Sequence, residues 1–333
     1  MRKGIYNIFV ITALLLLVGC SKDSADDNNS AQESYAPLQM VGLSRAVEGD
    51  TEWDDIHAFL TNSTTLTEGK FKYDSETEEW STQLKLKSGS RTYRLYGFMP
   101  DDAELTSSLT SWTDDGAVLR LENLDPLTPN DYSIITGVRQ VELATDKTSA
   151  TRGNFSFEYQ SNRNNYINLF LDHLLSQIEF NMKVGTTYNT LRTIKVKKMT
   201  LKLANISRMT ADITLANGTG ISNINFTTTG TAANSCVMLN EEKTLTTTGT
   251  VICCAFAAPV EGLLNNLVLE TKFDVYDKKG NKIAERTATN KLTTPLADVE
   301  RGEKRTLLIT VDPSYLYVLS DADLDNPTIK IEN

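Results

Sequence analysis

The chain has 333 residues, and its 33 Lys and Arg against 43 Asp and Glu give a formal charge of −10. The length suits two ordinary domains or one large β domain, and the negative balance excludes a general affinity for nucleic acid or an anionic membrane face. Two His and four Cys leave little for a zinc site or a Cys/His catalytic pair, while 8 Pro and 18 Gly exclude collagen-like and low-complexity chains.

The first element is a targeting segment. Arg2 and Lys3 precede an apolar run from Ile8 to Val18, which is 11 residues long. A membrane-spanning helix needs about 20, so the run reads as the core of a signal peptide. It ends Leu16-Leu17-Val18-Gly19-Cys20, small residues and then a thiol, the pattern of a bacterial lipobox. Cys20 is therefore the expected lipidation site, with residues 1–20 as the signal peptide and a lipid anchor holding the mature chain to the membrane. Ser21 to Ser30 is polar, acidic and aperiodic. It reads as a disordered tether, either a plain solvated linker or an export signal like that of some surface lipoproteins of Gram-negative anaerobes.

Pro37 to Leu43 reads as a strand ending shortly before Arg45-Ala46. Alternation of β-formers then recurs at Thr82–Lys87, Arg91–Phe98, Ala117–Glu122 and Asn154–Tyr159. Past a polar, turn-rich stretch from Gln160 to Asn165 it returns at Ile194–Val196, Met199–Leu203 and Leu267–Tyr276. Lys278-Lys279-Gly280-Asn281 is a hairpin turn, and a late strand runs from Arg305 to Asp312. Tyr315–Leu319 and Thr328–Ile331 read as two short strands bracketed by Pro313 and Pro327. Helical pattern is weak, at Asp101–Leu109 and near Leu171–Ile178, and the latter reads equally as a kinked strand. The expectation is an all-β chain of sandwiches. It divides into a tether and leader strand (21–45), an N-terminal sandwich (46–163) and a C-terminal sandwich (164–333).

Few residues carry chemistry. No Gly-rich phosphate loop, G-x-S-x-G or H-E-x-x-H is present, so no enzyme activity and no cofactor is expected. His57 and His173 read as core histidines, and Trp53, Trp80 and Trp112 read as core rather than as a glycan-stacking platform. Asp101-Asp102 and Asp114-Asp115 read as solvated loop pairs. Cys253 and Cys254 are adjacent in a strand-like run, so they face opposite ways and pack as small apolar groups, as does Cys236. Asp321, Asp323, Asp325 and Glu332 have EF-hand spacing. Asn326 occupies the glycine position and Pro327 follows, so an acidic connector is preferred to a calcium site.

Several segments together resemble the fimbrillin-like family. They are Glu52–Leu60 after Ser44-Arg45-Ala46, Trp80-Ser81 ahead of Tyr93–Pro100, Leu169–Met182, and the turn Val299–Arg305. The late turn lacks the aromatic that the family often carries just before it. The resemblance implies subunits of protease-assembled (type V) pili with two tandem transthyretin-like β-sandwich domains. It implies export to the cell outer membrane as a surface lipoprotein and cleavage by an Arg-specific surface protease. Cleavage removes a first strand and opens a groove for a neighbouring pilin's strand, a form of β-augmentation. In this sequence the implied processing bond is Arg45-Ala46; Arg45 as an ordinary linker arginine is the alternative. The donor-strand candidates lie in 314–333, namely Tyr315, Tyr317, Leu319, Ile329 and Ile331, with an ordinary last core strand as the alternative. The expected partners are other pilin subunits, the protease, and a host protein or glycan. A surface glycan-binding lipoprotein with tandem sandwiches is the alternative function.

Overall fold

Residues that alternate between apolar and polar bury one face when extended, as Ser176–Val184 does at every second position. The computed structural model describes residues 35–45, 53–89, 91–161, 163–203, 207–230, 235–265, 267–291, 300–315 and 322–332, with side chains described as far as Pro313. Cys20 and Ala46 lie outside the described residues. The first strands are β1 (Tyr35–Arg45), β2 (Ile56–Thr61), β3 (Leu66–Asp74), β4 (Glu79–Thr82), β5 (Lys85–Lys87) and β6 (Thr92–Met99). Next come β7 (Thr106–Thr110), β8 (Gly116–Leu124), β9 (Leu127–Thr128), β10 (Ser133–Val141), β11 (Ser156–Glu158) and β12 (Asn165–His173). After β13 (Ser176–Val184) stands α1 (Thr186–Leu191), a six-residue helix that buries Tyr188. The strands resume with β14 (Thr193–Lys202), β15 (Met209–Ala216), β16 (Gly220–Thr228), β17 (Ser235–Leu239) and β18 (Lys243–Thr244). The last are β19 (Thr250–Ala257), β20 (Val268–Tyr276), β21 (Lys282–Lys291), β22 (Lys304–Tyr315) and β23 (Ala322–Glu332).

Among the described residues these strands form four sheets. The largest runs β4-β3-β2-β6-β10-β12-β1-β5, with β11 also on β6. The others run β23-β22-β13-β19-β9, then β17-β14-β20-β21 with β18 on β14, and β16-β15-β8-β7. The largest sheet is covered on both faces. Ile56, Ala58 and Leu60 of β2 and Tyr93, Leu95 and Met99 of β6 enter one core. Phe59, Tyr96 and Phe98 enter a second core, against Leu119 and Leu121 of β8 and Ile213 and Leu215 of β15. This double burial explains why β10 is buried at every position from Ser133 to Val138. The third core lies between the remaining two sheets. It holds Ile178, Phe180 and Met182 of β13 opposite Val196 and Leu201 of β14 and Phe273 of β20.

The all-β, stacked-sheet expectation matches the observed architecture. Strands from both sides of residue 163 share sheets. β12 is interior to the largest sheet, and β8 pairs with β15. The weak helical patterns resolve as extended chain. Residues 101–105 form a turn leading into β7, and Leu171–Ile178 spans the end of β12, a fully buried bend at Leu174-Leu175 and the start of β13, which pairs in a different sheet. The hairpin at Gly280 forms as read from the sequence: its φ is 89°, and Asp277 accepts from the Lys279 and Asn281 amides at 2.8 Å each. The prolines do not end the late ladder. Pro313 stands opposite Pro327, neither with an amide hydrogen to lose, and the register shifts just beyond them.

Asp274 on β20 is buried, with its side chain 1% exposed, and it meets Lys282 at 2.8 Å and Lys197 at 3.2 Å. Burial alone would raise its pKa, but hydrogen bonds and charge from the two lysines hold the carboxyl below the ordinary value. Folding therefore favours the ionised form. The stabilisation is complete above the unfolded pKa of about 3.9 and is lost as pH falls through the lower folded value. An Asp274→Asn variant should lose about 1–3 kcal/mol at neutral pH. Its deficit against the parent should shrink on acidification below that range, which denaturant titrations at neutral and acid pH will measure.

Candidate functional site

β1 joins two strands that are remote from it in sequence. It runs parallel to β12, with Leu38 opposite Asn165 and Arg45 opposite Leu171, and its first residues pair antiparallel with β5. Ala36, Leu38 and Met40 point into the core on one side of the largest sheet. Burying each of the two larger side chains stabilises the strand by roughly 1.5–3 kcal/mol. The pairing with β12 slips between Met40 and Gly42, which leaves Val41 as a bulge. The Lys147 ammonium donates to the Val41 carbonyl. Gly42 is needed because a Cβ there would lie 2.6 Å from Asn168 Oδ1. Asn168 is itself fixed, donating to the Asp146 and Thr148 carbonyls at 2.9 and 2.7 Å. The segment from Asp146 to Ser149 thus clasps the strand, and Ser44 closes the clasp with a 2.7 Å hydroxyl contact to Ser149.

The carboxyl end of β1 is held by its last residue. The Arg45 side chain is only 8% exposed. Its guanidinium lies 3.5 Å from Asp131 Oδ2, reaches the Met99 sulfur at 3.6 Å and sits 5.0 Å over the Trp53 ring. Asp131 is shared, because His173 Nδ1 contacts its other oxygen at 2.8 Å. Arg301 donates to the His173 carbonyl at 2.9 Å, tying the β22 approach to the same corner. The cation–π contact and the ion pair secure an arginine that would otherwise extend into water.

At the other end of the chain, β23 pairs among the described residues with β22 and forms an edge of its sheet. Ile329 stands opposite Val311 and Ile331 opposite Ile309. Tyr315 closes β22, whereas Tyr317, Leu319 and Asp321 lie outside the described residues. Asp323, Asp325 and Glu332 fall within the extended backbone of β23. β1 and β23 are both 11 residues long, and each carries an apolar pair two positions apart, Leu38/Met40 and Ile329/Ile331.

The other singled-out residues divide between packing and ion pairs. Asp101 is not solvated, as its sequence context suggested. Its side chain is 12% exposed and contacts His57 Nδ1 at 3.0 Å and the Lys70 ammonium. Burial opposes ionisation of Asp101, yet these two donors outweigh it and hold the carboxyl below its usual range. Ser107 Oγ lies 3.3 Å from His57 Nε2, so a serine, a histidine and an aspartate stand in a row. Glu68, however, occupies the same nitrogen at 3.0 Å. Ser107 Oγ therefore shares Nε2 with a carboxylate instead of facing it alone. Cys253 packs against the third core and Cys254 against the second, the opposite faces expected of neighbours in a strand. Burial pushes the Cys253 thiol up to about 12 and the Cys236 thiol up to about 11, away from reactive thiolate. Trp80 is buried beside Tyr73, with ring centroids 4.9 Å apart, and Trp112 packs against the second core.

No protein-family model matches the chain, and no curated protein matches it. Solved structures with a similar chain course include a fimbrial protein from Bacteroides vulgatus ATCC 8482. The two are 14% identical over 88% of this chain and 98% of that chain, with a TM-score of 0.42. Another, named "putative cell adhesion protein", is from Bacteroides fragilis NCTC 9343; it is 11% identical over 90% of this chain and 97% of that chain, with a TM-score of 0.43.

The clamp on Arg45 has a measurable consequence. Asp131→Ala removes its carboxylate partner and should let the carboxyl end of β1 open more often. Tryptic cleavage after Arg45 should then speed up severalfold relative to cleavage at Arg120 or Arg286, as followed by mass spectrometry of timed digests. An unchanged ratio means that Asp131 does not restrain the strand.

Proposed function

We propose that this chain is a structural or adhesive subunit of a surface pilus, exported as a lipoprotein through Cys20 and assembled by strand exchange. The observation that carries the reading is the position of β1. It is bounded by the tether on one side and by Arg45 on the other, and it lies between β12 and β5. An arginine-specific surface protease cutting Arg45-Ala46 would free the lipidated segment 1–45. The main-chain groups of β12 and β5 that face β1 would then lack partners, and the places of Leu38 and Met40 would be empty. Such a groove costs free energy until another strand fills it.

The proposed filler is β23 of a neighbouring subunit. Its length equals that of β1, and its Ile329/Ile331 pair has the spacing of Leu38/Met40. It is bonded to its own sheet along one edge only, so release exposes a single row of main-chain groups. Two burying isoleucines contribute up to about 1.5–3 kcal/mol each. Ordering a free strand costs about 1–2 kcal/mol per residue, so the new ladder of hydrogen bonds is what makes the exchange favourable. The reading keeps two sandwiches, 46–163 and 164–333, that exchange strands across their boundary, since β12 joins the largest sheet and β8 pairs with β15. The subunit is expected at the outer membrane before processing and in the pilus after it. The low exposure of Arg45 implies that the protease acts on a transiently opened end.

Two experiments test this. Arg45→Ala should leave the protein folded and membrane-attached but unprocessed and monomeric, whereas parent protein shed from the surface should begin at Ala46. An intact Arg45-Ala46 bond in assembled polymer overturns the processing step. Deleting residues 314–333 should give a folded, exported, cleavable chain that accepts no neighbour. Degradation of that chain would place the tail in the core, and normal polymer laddering on gels would exclude it as the donor.

A further inference from the structure

Where β1 passes the β3–β4 hairpin, the chain encloses an open cavity of about 340 Å³. That volume is on the scale of a small-molecule site. Three aromatic residues line it: Trp53, Tyr73 and Trp80. Glu78, Glu79 and Lys147 supply its charged groups. One wall is the backbone of β1 around its Val41 bulge.

Two backbone irregularities converge on this place. The first is the bulge, whose carbonyl is taken by Lys147. The second is Glu78, held at φ 56°, in the left-handed region that non-glycine residues seldom adopt. The hairpin turn before it is tied down by Asp74, which accepts from the Glu76 amide at 2.9 Å. Bulges and strained residues gather at binding sites because they turn side chains to positions that a regular ladder cannot supply.

The lining chemistry selects the occupant. An apolar chain would strip water from Glu78, Glu79 and Lys147 and return no hydrogen bond. A phosphate or carboxylate ligand would meet two glutamates. A simple cation would meet the Lys147 ammonium, which keeps two donors after binding the Val41 carbonyl. A sugar ring answers each requirement. Its C–H faces stack on aromatic rings, its hydroxyls donate to carboxylates, and other hydroxyl oxygens accept from the ammonium. We propose that this cavity is a saccharide subsite that binds a pyranose unit of an oligosaccharide, with Trp53 and Tyr73 as stacking faces and Glu79 and Lys147 as hydroxyl partners. It is formed by the unprocessed chain, so it does not depend on the assembly reading.

The test uses the full chain purified in detergent. Isothermal titration with maltotriose, cellotriose, chitotriose and mannotriose at millimolar concentration supplies four ring chemistries. At least one trisaccharide should bind. Glu79→Gln, a change at an exposed hydrogen-bonding group, and Trp53→Ala should each weaken that binding about tenfold or more. Trp112→Phe, away from the cavity, should leave it unchanged. Thermal melts establish that each variant is folded, and Glu79→Gln keeps the comparison valid if Trp53→Ala is not. No heat from any of the four sugars overturns the assignment, and so does binding that Glu79→Gln leaves unaltered.

Discussion

A strand inside a sheet has both rows of its main-chain hydrogen-bonding groups committed, and removing it strands the facing groups of its two neighbours. β1 divides its pairing between two such neighbours, Tyr35–Pro37 with β5 and Leu38–Arg45 with β12. Nothing local holds it there. It is kept by pairing with strands remote in sequence, by two buried apolar side chains, by the clasp from Asp146 to Ser149 and by the Arg45 corner. The first core of the largest sheet depends on this strand because Leu38 and Met40 belong to it.

The rest of the architecture is arranged so that one strand can matter this much locally. The largest sheet is a middle layer, with the second core behind it and a sheet built from β7, β8, β15 and β16 beyond. The third core, between the sheets of β13 and β14, includes no residue of β1. Loss of β1 would therefore strip one face of one sheet and leave two cores whole. That is the physical condition for a strand to be exchangeable without unfolding the molecule, and on the proposed reading the chain uses it for assembly.

The Arg45 corner and the cavity sit on the same strand for a related reason. A bulge at Val41 breaks the even ladder between β1 and β12 and draws in Lys147, and the space it leaves against the β3–β4 hairpin becomes concave. Trp53 serves both places, under the Arg45 guanidinium and in the cavity lining. Occupancy of the cavity and retention of β1 are thereby linked, since anything bound to the wall that β1 forms favours the state in which β1 is present.

Alternation in the sequence made legible strands such as β6, β8, β14 and β20, the opposed faces of Cys253 and Cys254 and the turn at Gly280. It did so because a strand's two faces are written at every second residue. The strand before Arg45 and the strand character of Thr328–Ile331 were legible for the same reason, although the ladder runs on through Pro313 and Pro327. Tertiary structure alone decided which strands pair. β12 accepts β1 across more than a hundred residues, and β8 reaches over to β15, because backbone amides are chemically alike and no local sequence names their partner. The polar partners were hidden by the same distance. Asp101 reads as a loop carboxylate until the fold brings it to His57, 44 residues away, and nothing in the sequence around Arg45 names Asp131, 86 residues on, as its partner. The cavity was the least legible feature, because it arises from a bulge, a left-handed glutamate and three aromatic rings that meet only when the sheet has closed around them.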